Sequence, residues 1–267
     1  MPSAAPFLSV IIPTHKRPVL LERALASIKA QAGPLSHEVI VVADEWNPAD
    51  DEVCSRLLGP DDIKIKRNGE RGPAASRNLG LDLASGRYVM FLDDDDAWQP
   101  GLLEQLAARP EVAAGRFVYF DCAVVTESRA APQPVFIAEQ KLDLTHQLNE
   151  LVYVKNQVHM SCFAFPRRLI GNTRFDPHMR AYEDWDFLLA IFDKEMPVHL
   201  PIQGSIVYEV ADASSDRRGN SEDANNFNAV MDYLYVYRRH PARSETLRLH
   251  RQSLMQQVGM ALPADLL

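Results

Sequence analysis

Four consecutive carboxylates, Asp93-Asp94-Asp95-Asp96, follow the apolar run Tyr88-Val89-Met90-Phe91-Leu92. Carboxylates held this close resist joint ionisation, so some stay protonated unless a cation neutralises the group. Hard divalent cations such as Mn²⁺ or Mg²⁺ suit so oxygen-rich a site. Along an extended chain, alternation sends Asp93 and Asp95 to one face and Asp94 and Asp96 to the other. The same four residues also fit a solvated acidic turn after a strand. On their own they do not decide between the two.

Three further groups of residues have chemical potential. Asp44-Glu45 closes the apolar run Val39-Ile40-Val41-Val42-Ala43, and carboxylates at such strand ends accept hydrogen bonds from a base or ribose; a simple polar strand end is the alternative. In Arg71-Gly72-Pro73-Ala74-Ala75-Ser76-Arg77-Asn78, two arginines flank a helix N-terminus, an arrangement that suits a diphosphate. The G-x-x-x-x-G-K-[ST] spacing of a phosphate-binding loop is absent, and a helix start with surface arginines is the plainer reading. Glu183-Asp184 opens another helix, where acidic residues complement the dipole. Tyr182, Trp185 and Phe187 add an apolar wall there, which raises a carboxylate's pKa toward the range useful for a general base. His15, His159 and His178 lie nearest these groups, but no metal-binding histidine spacing is present. Each reads as structural or as a polar substrate contact.

The elements that position these groups follow from periodicity. Phe7 to Ile12, Glu38 to Ala43 and Tyr88 to Leu92 read as buried strands, and Ile63 to Lys66 as a more exposed one. Pro18 starts a helix whose Leu20, Leu21, Ala24, Leu25 and Ile28 form one apolar stripe. Helices are also predicted over residues 50–58, 74–84, 99–108 and 144–152. Strands are expected over 116–125 and 159–165, with 130–134 as a Pro/Ala linker. Trp185, Leu188, Leu189 and Phe192 stand at i, i+3, i+4 and i+7, marking a core-facing helix. Residues 211–226 are polar and read as a loop. Two amphipathic helices follow, with Phe227, Val230, Met231 and Leu234 on one and Leu247, Leu254, Met255, Val258 and Leu262 on the other. Alternating strand and helix with short connections predicts a parallel sheet covered by helices, with ligands at the carboxyl ends of its strands. That rim would gather residues 13–17, Asp44-Glu45, Arg71-Gly72 and Asp93 to Asp96.

At 267 residues with 46% hydrophobic and 24% charged content, the chain has the composition of a globular protein. Its net charge of −8 argues against nucleic-acid binding through phosphate neutralisation. Cys54, Cys122 and Cys162 show no metal or redox spacing and read as buried free thiols of a reducing compartment. No signal peptide or membrane-spanning run is recognised, so a cytoplasmic protein is expected, with contact at the inner membrane face left open. No G-x-S-x-G is present, which leaves nucleophilic hydrolase readings without support.

In order along the chain, Ser9-Val10-Ile11-Ile12-Pro13-Thr14 with Arg17-Pro18, Val41-Val42 with Asp44, Arg71-Gly72 with Arg77-Asn78, Phe91-Leu92-Asp93-Asp94-Asp95-Asp96-Ala97-Trp98 and Tyr182-Glu183-Asp184-Trp185-Asp186 resemble family 2 glycosyltransferases. The likeness spans residues 7 to 195. It implies an α/β GT-A fold: a Rossmann-like nucleotide-binding sheet with helices on both faces, a mixed acceptor-side half and C-terminal helices. The division expected is a nucleotide-sugar half over 1–98, an acceptor half over 99–221 and a helical extension over 222–267. The implied activity is an inverting, Mn²⁺- or Mg²⁺-dependent transfer from a nucleotide-diphosphate sugar, a UDP-sugar being favoured. The acceptor would be a sugar, lipid-linked or other hydroxyl, in polysaccharide, glycolipid or glycoconjugate synthesis. By the same resemblance Thr14 and Asp44 hold the base, Pro13 shapes its pocket, and Arg17, Arg71 and Arg77 attend the ribose and diphosphate. Asp95 and Asp93 take the metal, Asp93 or Asp94 the ribose. Asp184 is the general base, with Glu183, Trp185 and Trp98 toward the substrate.

Relatives of the family carry a His or basic residue where Tyr208 to Ser215 stands here. This segment, followed by Arg217-Arg218, reads as a donor-closing loop. A catalytically silent nucleotide- or sugar-binding protein on the same fold is the rival function. A phosphohydrolase built on the aspartates fails the D-x-D-x-[TV] pattern. The terminal helices, rich in arginine, could pack on the domain, pair two copies or touch anionic lipid, and packing on the domain is the expectation.

Overall fold

The computed structural model describes residues 5–45, 47–69, 72–179, 181–212, 226–257 and 259–267, and of 226–230 the backbone alone. In chain order the first half runs β1 (Leu8–Thr14), α1 (Pro18–Lys29), β2 (His37–Ala43), α2 (Pro48–Leu57), β3 (Ile63–Lys66), α3 (Pro73–Leu83), β4 (Tyr88–Phe91) and β5 (Ala97–Trp98). The second half runs α4 (Leu102–Ala107), α5 (Pro110–Ala113), β6 (Val118–Ser128), β7 (Val135–Leu142), β8 (Phe163–Pro166), α6 (Arg167–Ile170), α7 (Glu183–Phe192) and β9 (Val198–Val210). Two helices, α8 (Asn226–Arg239) and α9 (Glu245–Gln257), close the chain.

The strands form one sheet in the order β3-β2-β1-β4-β8-β6-β9-β5, with β7 paired to β6. β3, β2, β1 and β4 are mutually parallel. Beyond β4 the sheet is mixed, because β8 runs antiparallel to both β4 and β6 while β6 and β9 are parallel. The order reverses at β1, where β2 and β4 leave on opposite sides. Such a switch point opens a crevice at the carboxyl ends of the strands.

Burial explains why these segments adopt these forms. Every residue of β1 and β4 is buried, as expected for strands covered on both faces. The predicted stripe of α1 is the buried one. Phe91 meets Phe165, Phe175 and Phe187 at 5.8, 5.1 and 5.8 Å between ring centroids, edge to face. That cluster fastens β4 to β8 and α7, and each such side chain contributes about 1.5–3 kcal/mol by leaving water. At Gly86 a Cβ would fall 2.6 Å from the Ser9 amide nitrogen and 2.7 Å from the Leu8 carbonyl carbon, so only glycine lets β4 begin beside β1.

Several expectations need correction. The helix expected over 144–152 is a single 3₁₀ turn over Glu150–Tyr153. Asp143 accepts from the Thr145 amide and Asn149 from the Leu151 amide, and such local bonds compete with helix. The strand expected over 159–165 is a 3₁₀ turn over Met160–Cys162 followed by β8. Residues 130–134 are not a linker between units but the turn of the β6–β7 hairpin. Tyr208, Glu209 and Val210 belong to β9, paired in register with Val125 to Glu127, and so are not part of a loop. Ala211 and Asp212 follow the strand, the Asp212 carboxylate accepting from Ser128 Oγ at 2.6 Å and from the Arg129 amide at 2.7 Å, while Ala213 to Ser215, Arg217 and Arg218 lie outside the described residues, as does Val258. On α8, Met231 is exposed while Leu234 packs against the core, next to buried Val236 and Tyr237; the side chains of Phe227 and Val230, also expected on that face, lie outside the described residues. Both terminal helices pack on the core through Val236, Tyr237, Leu247 and Met255.

Candidate functional site

β4 ends at Phe91 and the acidic run forms a turn, closed by the Asp96 amide donating to the Asp93 carbonyl at 3.0 Å. Alternation survives the turn: Asp94 and Asp96 are buried and Asp93 and Asp95 half-buried. Each carboxylate has its own environment. Asp94 accepts from Thr14 Oγ1 at 2.7 Å and from Arg17 Nε at 3.2 Å, with a second contact to Arg17 Nη2. Asp95 accepts from Arg17 Nη1 at 3.2 Å and from Arg129 Nη1 at 3.1 Å. Arg23 donates to the Asp95 carbonyl at 2.7 Å and to Glu127 at 2.6 Å, lying 3.4 Å over the Tyr208 ring. Asp96 Oδ1 accepts from the Tyr208 amide at 3.2 Å, while its Oδ2 is buried without a hydrogen-bond partner among the described residues. His159 Nδ1 stands 3.3 Å from that oxygen.

Arg77 joins this turn to the second acidic motif. Carried on α3 with a side chain only 5% exposed, it donates to Asp93 Oδ1 at 2.7 Å and to Glu183 Oε1 at 3.0 Å. Arg77, expected beside a diphosphate, is a buried bridge between the turn after β4 and the start of α7. Asp184, the second residue of α7, is half-buried, and its Oδ1 accepts from the Trp185 amide at 2.7 Å.

The backbone leading into α7 is held from outside. Tyr182 sits in the left-handed region at φ 63°, a conformation that costs a non-glycine residue about 1–3 kcal/mol. α8 holds it there: Asp232 Oδ2 accepts from the Ala181 amide at 3.1 Å, and the Tyr233 ring lies 4.4 Å from that of Tyr182. His240 and Arg239 both place a nitrogen 3.0 Å from Asp186 Oδ1, one turn into α7.

Burial and neighbouring charge set the protonation pattern. Burial pushes Asp94 up to about 6 and Asp96 up to about 7, reinforced by adjacent carboxylates and opposed by Arg17 and His159 respectively. Burial acts the same way on Asp93, but Arg77 and then His159 outweigh it and hold that carboxyl below the usual range. Burial, with the charge of Asp184, raises Glu183 against the pull of Arg77. Burial alone would lower His159, yet Asp96, Asp93 and Asp184 together raise it.

Ligand atoms of Asp93, Asp96 and His159 lie within 4.8 Å of one another. Of the two residues expected to take a metal, Asp93 belongs to this group, while the Asp95 carboxylate is held by the guanidiniums of Arg17 and Arg129. Two carboxylates and an imidazole, with one buried carboxylate oxygen unsatisfied, fit Mn²⁺ better than the all-oxygen shell Mg²⁺ prefers.

On the base side, Asp44 lies at the end of β2, its Oδ1 2.5 Å from His15 Nδ1 and its Oδ2 accepting from the Gly72 amide at 3.0 Å. Pro13 is buried in β1 opposite Val42. Thr14, Arg17, Asp44, Arg77, Asp93, Asp94, Asp95, Glu183 and Asp184 are thus gathered at one rim of the sheet, while Arg71 lies outside the described residues. Trp98 and Trp185 are enclosed in the core at 2% and 1% exposure, and Trp185 Nε1 donates to the Val152 carbonyl. Both rings position their neighbours rather than face a substrate. Arg23, Glu127, Arg129, Asp232 and Tyr233 were not legible as site residues, because strand and helix pairings far along the chain bring them here.

The chain belongs to a known family. The family model described as Glycosyl transferase family 2 matches residues 9–184. The chain is 28% identical over 234 residues to the GalNAc(5)-diNAcBac-PP-undecaprenol beta-1,3-glucosyltransferase of Campylobacter jejuni, covering 86% of this chain and 72% of that one. It is also 28% identical over 300 residues to the succinoglycan biosynthesis protein ExoW of Rhizobium meliloti, covering 93% and 90%. Among solved structures, S. aureus TarS 1–349 in complex with UDP-GlcNAc superposes with a TM-score of 0.60 at 15% identity, over 95% of this chain and 73% of that one. Against the longer TarS structure the chain spans 43% of the length, with a TM-score of 0.61. The likeness shows the expected GT-A fold.

Proposed function

Starting from a chain that belongs to glycosyltransferase family 2, we propose that it moves a sugar, with inversion, from a UDP-sugar to a hydroxyl of a lipid-linked or polymeric glycan. One observation carries the reading: Arg77 bonds Asp93 and Glu183 at once, so the acidic turn and the Glu183-Asp184 helix start form a single site. Its two sides suit the two halves of an in-line displacement. Asp184 takes the proton of the acceptor hydroxyl, help worth about 10²–10⁴-fold. Arg77, and through it Asp93, fixes that base relative to the donor. Thr14, Asp44 and Pro13 border the base pocket, and Arg17 orders Asp94 and Asp95 beside the ribose. Asp93, Asp96 and His159 would hold a divalent ion, which supplies positive charge to the departing diphosphate when bound. Residues 1–98 then make the donor half and 99–221 the acceptor half.

The names of the relatives support the substrate classes. TarS has been solved with UDP and with UDP-GlcNAc, and the Campylobacter jejuni relative is named for a diphosphate-undecaprenol acceptor. Among the described residues no helix is long and apolar enough to cross a membrane. Thermal unfolding with UDP-, GDP- and dTDP-sugars, each with and without Mn²⁺, tests the donor assignment. A UDP-sugar should stabilise the protein most, and only with the ion. Equal stabilisation by all three, or none, would remove the assignment.

A further inference from the structure

A cavity of about 940 Å³ opens at the opposite end of the sheet from the acidic turn. Arg87 stands just before β4 and the acidic turn begins two residues after it, so at about 3.3 Å per residue the two sites are roughly 20 Å apart. Four arginines line this cavity: Arg87, Arg167, Arg168 and Arg174. Asp82 is the one acidic residue among the described residues of the lining, so the cavity keeps an excess of positive charge that favours an anion.

The guanidiniums are tethered rather than loose. Arg87 Nη2 donates to the Ala113 carbonyl at 2.9 Å, Arg167 Nε to the Gly86 carbonyl at 2.7 Å and Arg168 Nη2 to the Gly115 carbonyl at 3.1 Å. A guanidinium has five N–H donors, so each keeps several for a ligand. Arg174 is paired with Asp82 at 2.7 Å, and Arg168 stands 4.0 Å from Glu195. Among the described residues Arg87 and Arg167 form no ion pair. Buried Leu81, Ala84 and Ile170 supply an apolar floor beneath this rim.

We infer that this cavity is a second binding site, independent of the sugar donor, for a phosphate or diphosphate ester. Planar guanidiniums fixed at one edge match phosphate oxygens two at a time, and the apolar floor takes the organic part of the ester. The site stands whether or not the donor reading does, because none of its residues belongs to the rim at the other end.

Calorimetric titration with inorganic pyrophosphate, in saturating UDP to block the donor site, tests the inference. The wild type should bind pyrophosphate saturably, and Arg87→Gln/Arg167→Gln should bind about tenfold more weakly or worse, with UDP binding unchanged. Arg168→Glu, at a side chain 66% exposed, should weaken binding without disturbing the fold and so guards against a misfolded double variant. Flotation with phosphatidylglycerol or phosphatidylcholine vesicles separates the sources. Binding to the anionic vesicles that these substitutions abolish assigns a lipid headgroup, and arginine-dependent pyrophosphate binding alone assigns a soluble ester. Pyrophosphate and vesicle binding that the substitutions leave unchanged, or no binding of either by the wild type, would overturn the inference.

Discussion

Replacing Arg77 with methionine keeps most of the side-chain volume and removes the cation that joins the two acidic motifs. Two carboxylates, Asp93 and Glu183, would then face each other's field in a buried site with their bonds of 2.7 and 3.0 Å gone. Breaking a buried pair on one side costs about 3–5 kcal/mol, mostly for the charge left behind. At about 2–4 °C per kcal/mol for a domain of this size, the midpoint should fall by roughly 6–20 °C. Arg77 holds Asp93 below its ordinary value, so that contribution is present above the unfolded carboxylate range and lost as pH falls through the folded value. The loss in Arg77→Met should therefore be large near neutrality and shrink in acid. Urea unfolding at both pH values measures it. Adding Glu183→Gln to Arg77→Met should restore part of the stability, since one uncompensated charge disappears. A loss below about 1 kcal/mol at neutral pH, or no recovery in the double variant, would refute the bridge.

Other expectations are as direct. Asp96→Asn should remove the thermal stabilisation given by Mn²⁺ while leaving the metal-free protein at least as stable, because burial already disfavours that charge; unchanged Mn²⁺ stabilisation would return the ion to Asp95. Tyr233→Ala should lower kcat by about tenfold or more with donor affinity unchanged, since small misplacements of a base are costly and this ring backs Tyr182. Asp50 is buried at the start of α2, and burial raises its pKa against the pull of the Lys16 backbone amide and the Lys64 charge. A raised acid stabilises the fold fully below its unfolded value and loses that contribution as pH rises through the folded one. Asp50→Asn should therefore gain about 1 kcal/mol near neutrality and nothing near pH 3, by denaturant titration at the two pH values.

The parallel half of the fold was legible because its signals are local. Five apolar positions of α1 and the four of α7 fall on one face at helical spacing, and all are buried. β3 came out residue for residue. The mixed half was harder because its determinants lie far apart. β7 is exposed along nearly its whole length, so no burial pattern marks it, and the long strand β9 is aligned by β6 rather than by its own periodicity. The candidate site divides the same way. Asp93 to Asp96, Glu183 and Asp184 announce themselves as clustered charge. His159 does not, since only the route from β8 back to β4 brings it to Asp96. Arg77 was found but its protein partners were not: a helix N-terminus beside arginines suggests an anion from outside, and nothing local shows that this guanidinium also bonds Asp93 and Glu183.

Asp184→Asn tests the central claim most directly. The exchange keeps the side chain's shape and its acceptor for the Trp185 amide while removing the proton acceptor. Donor affinity and transfer rate should be measured together, by titration with the UDP-sugar and by release of UDP in the presence of acceptor. Donor affinity should stay within about twofold of wild type while transfer slows by about 10²–10⁴-fold. Transfer at the wild-type rate with donor binding intact would contradict it.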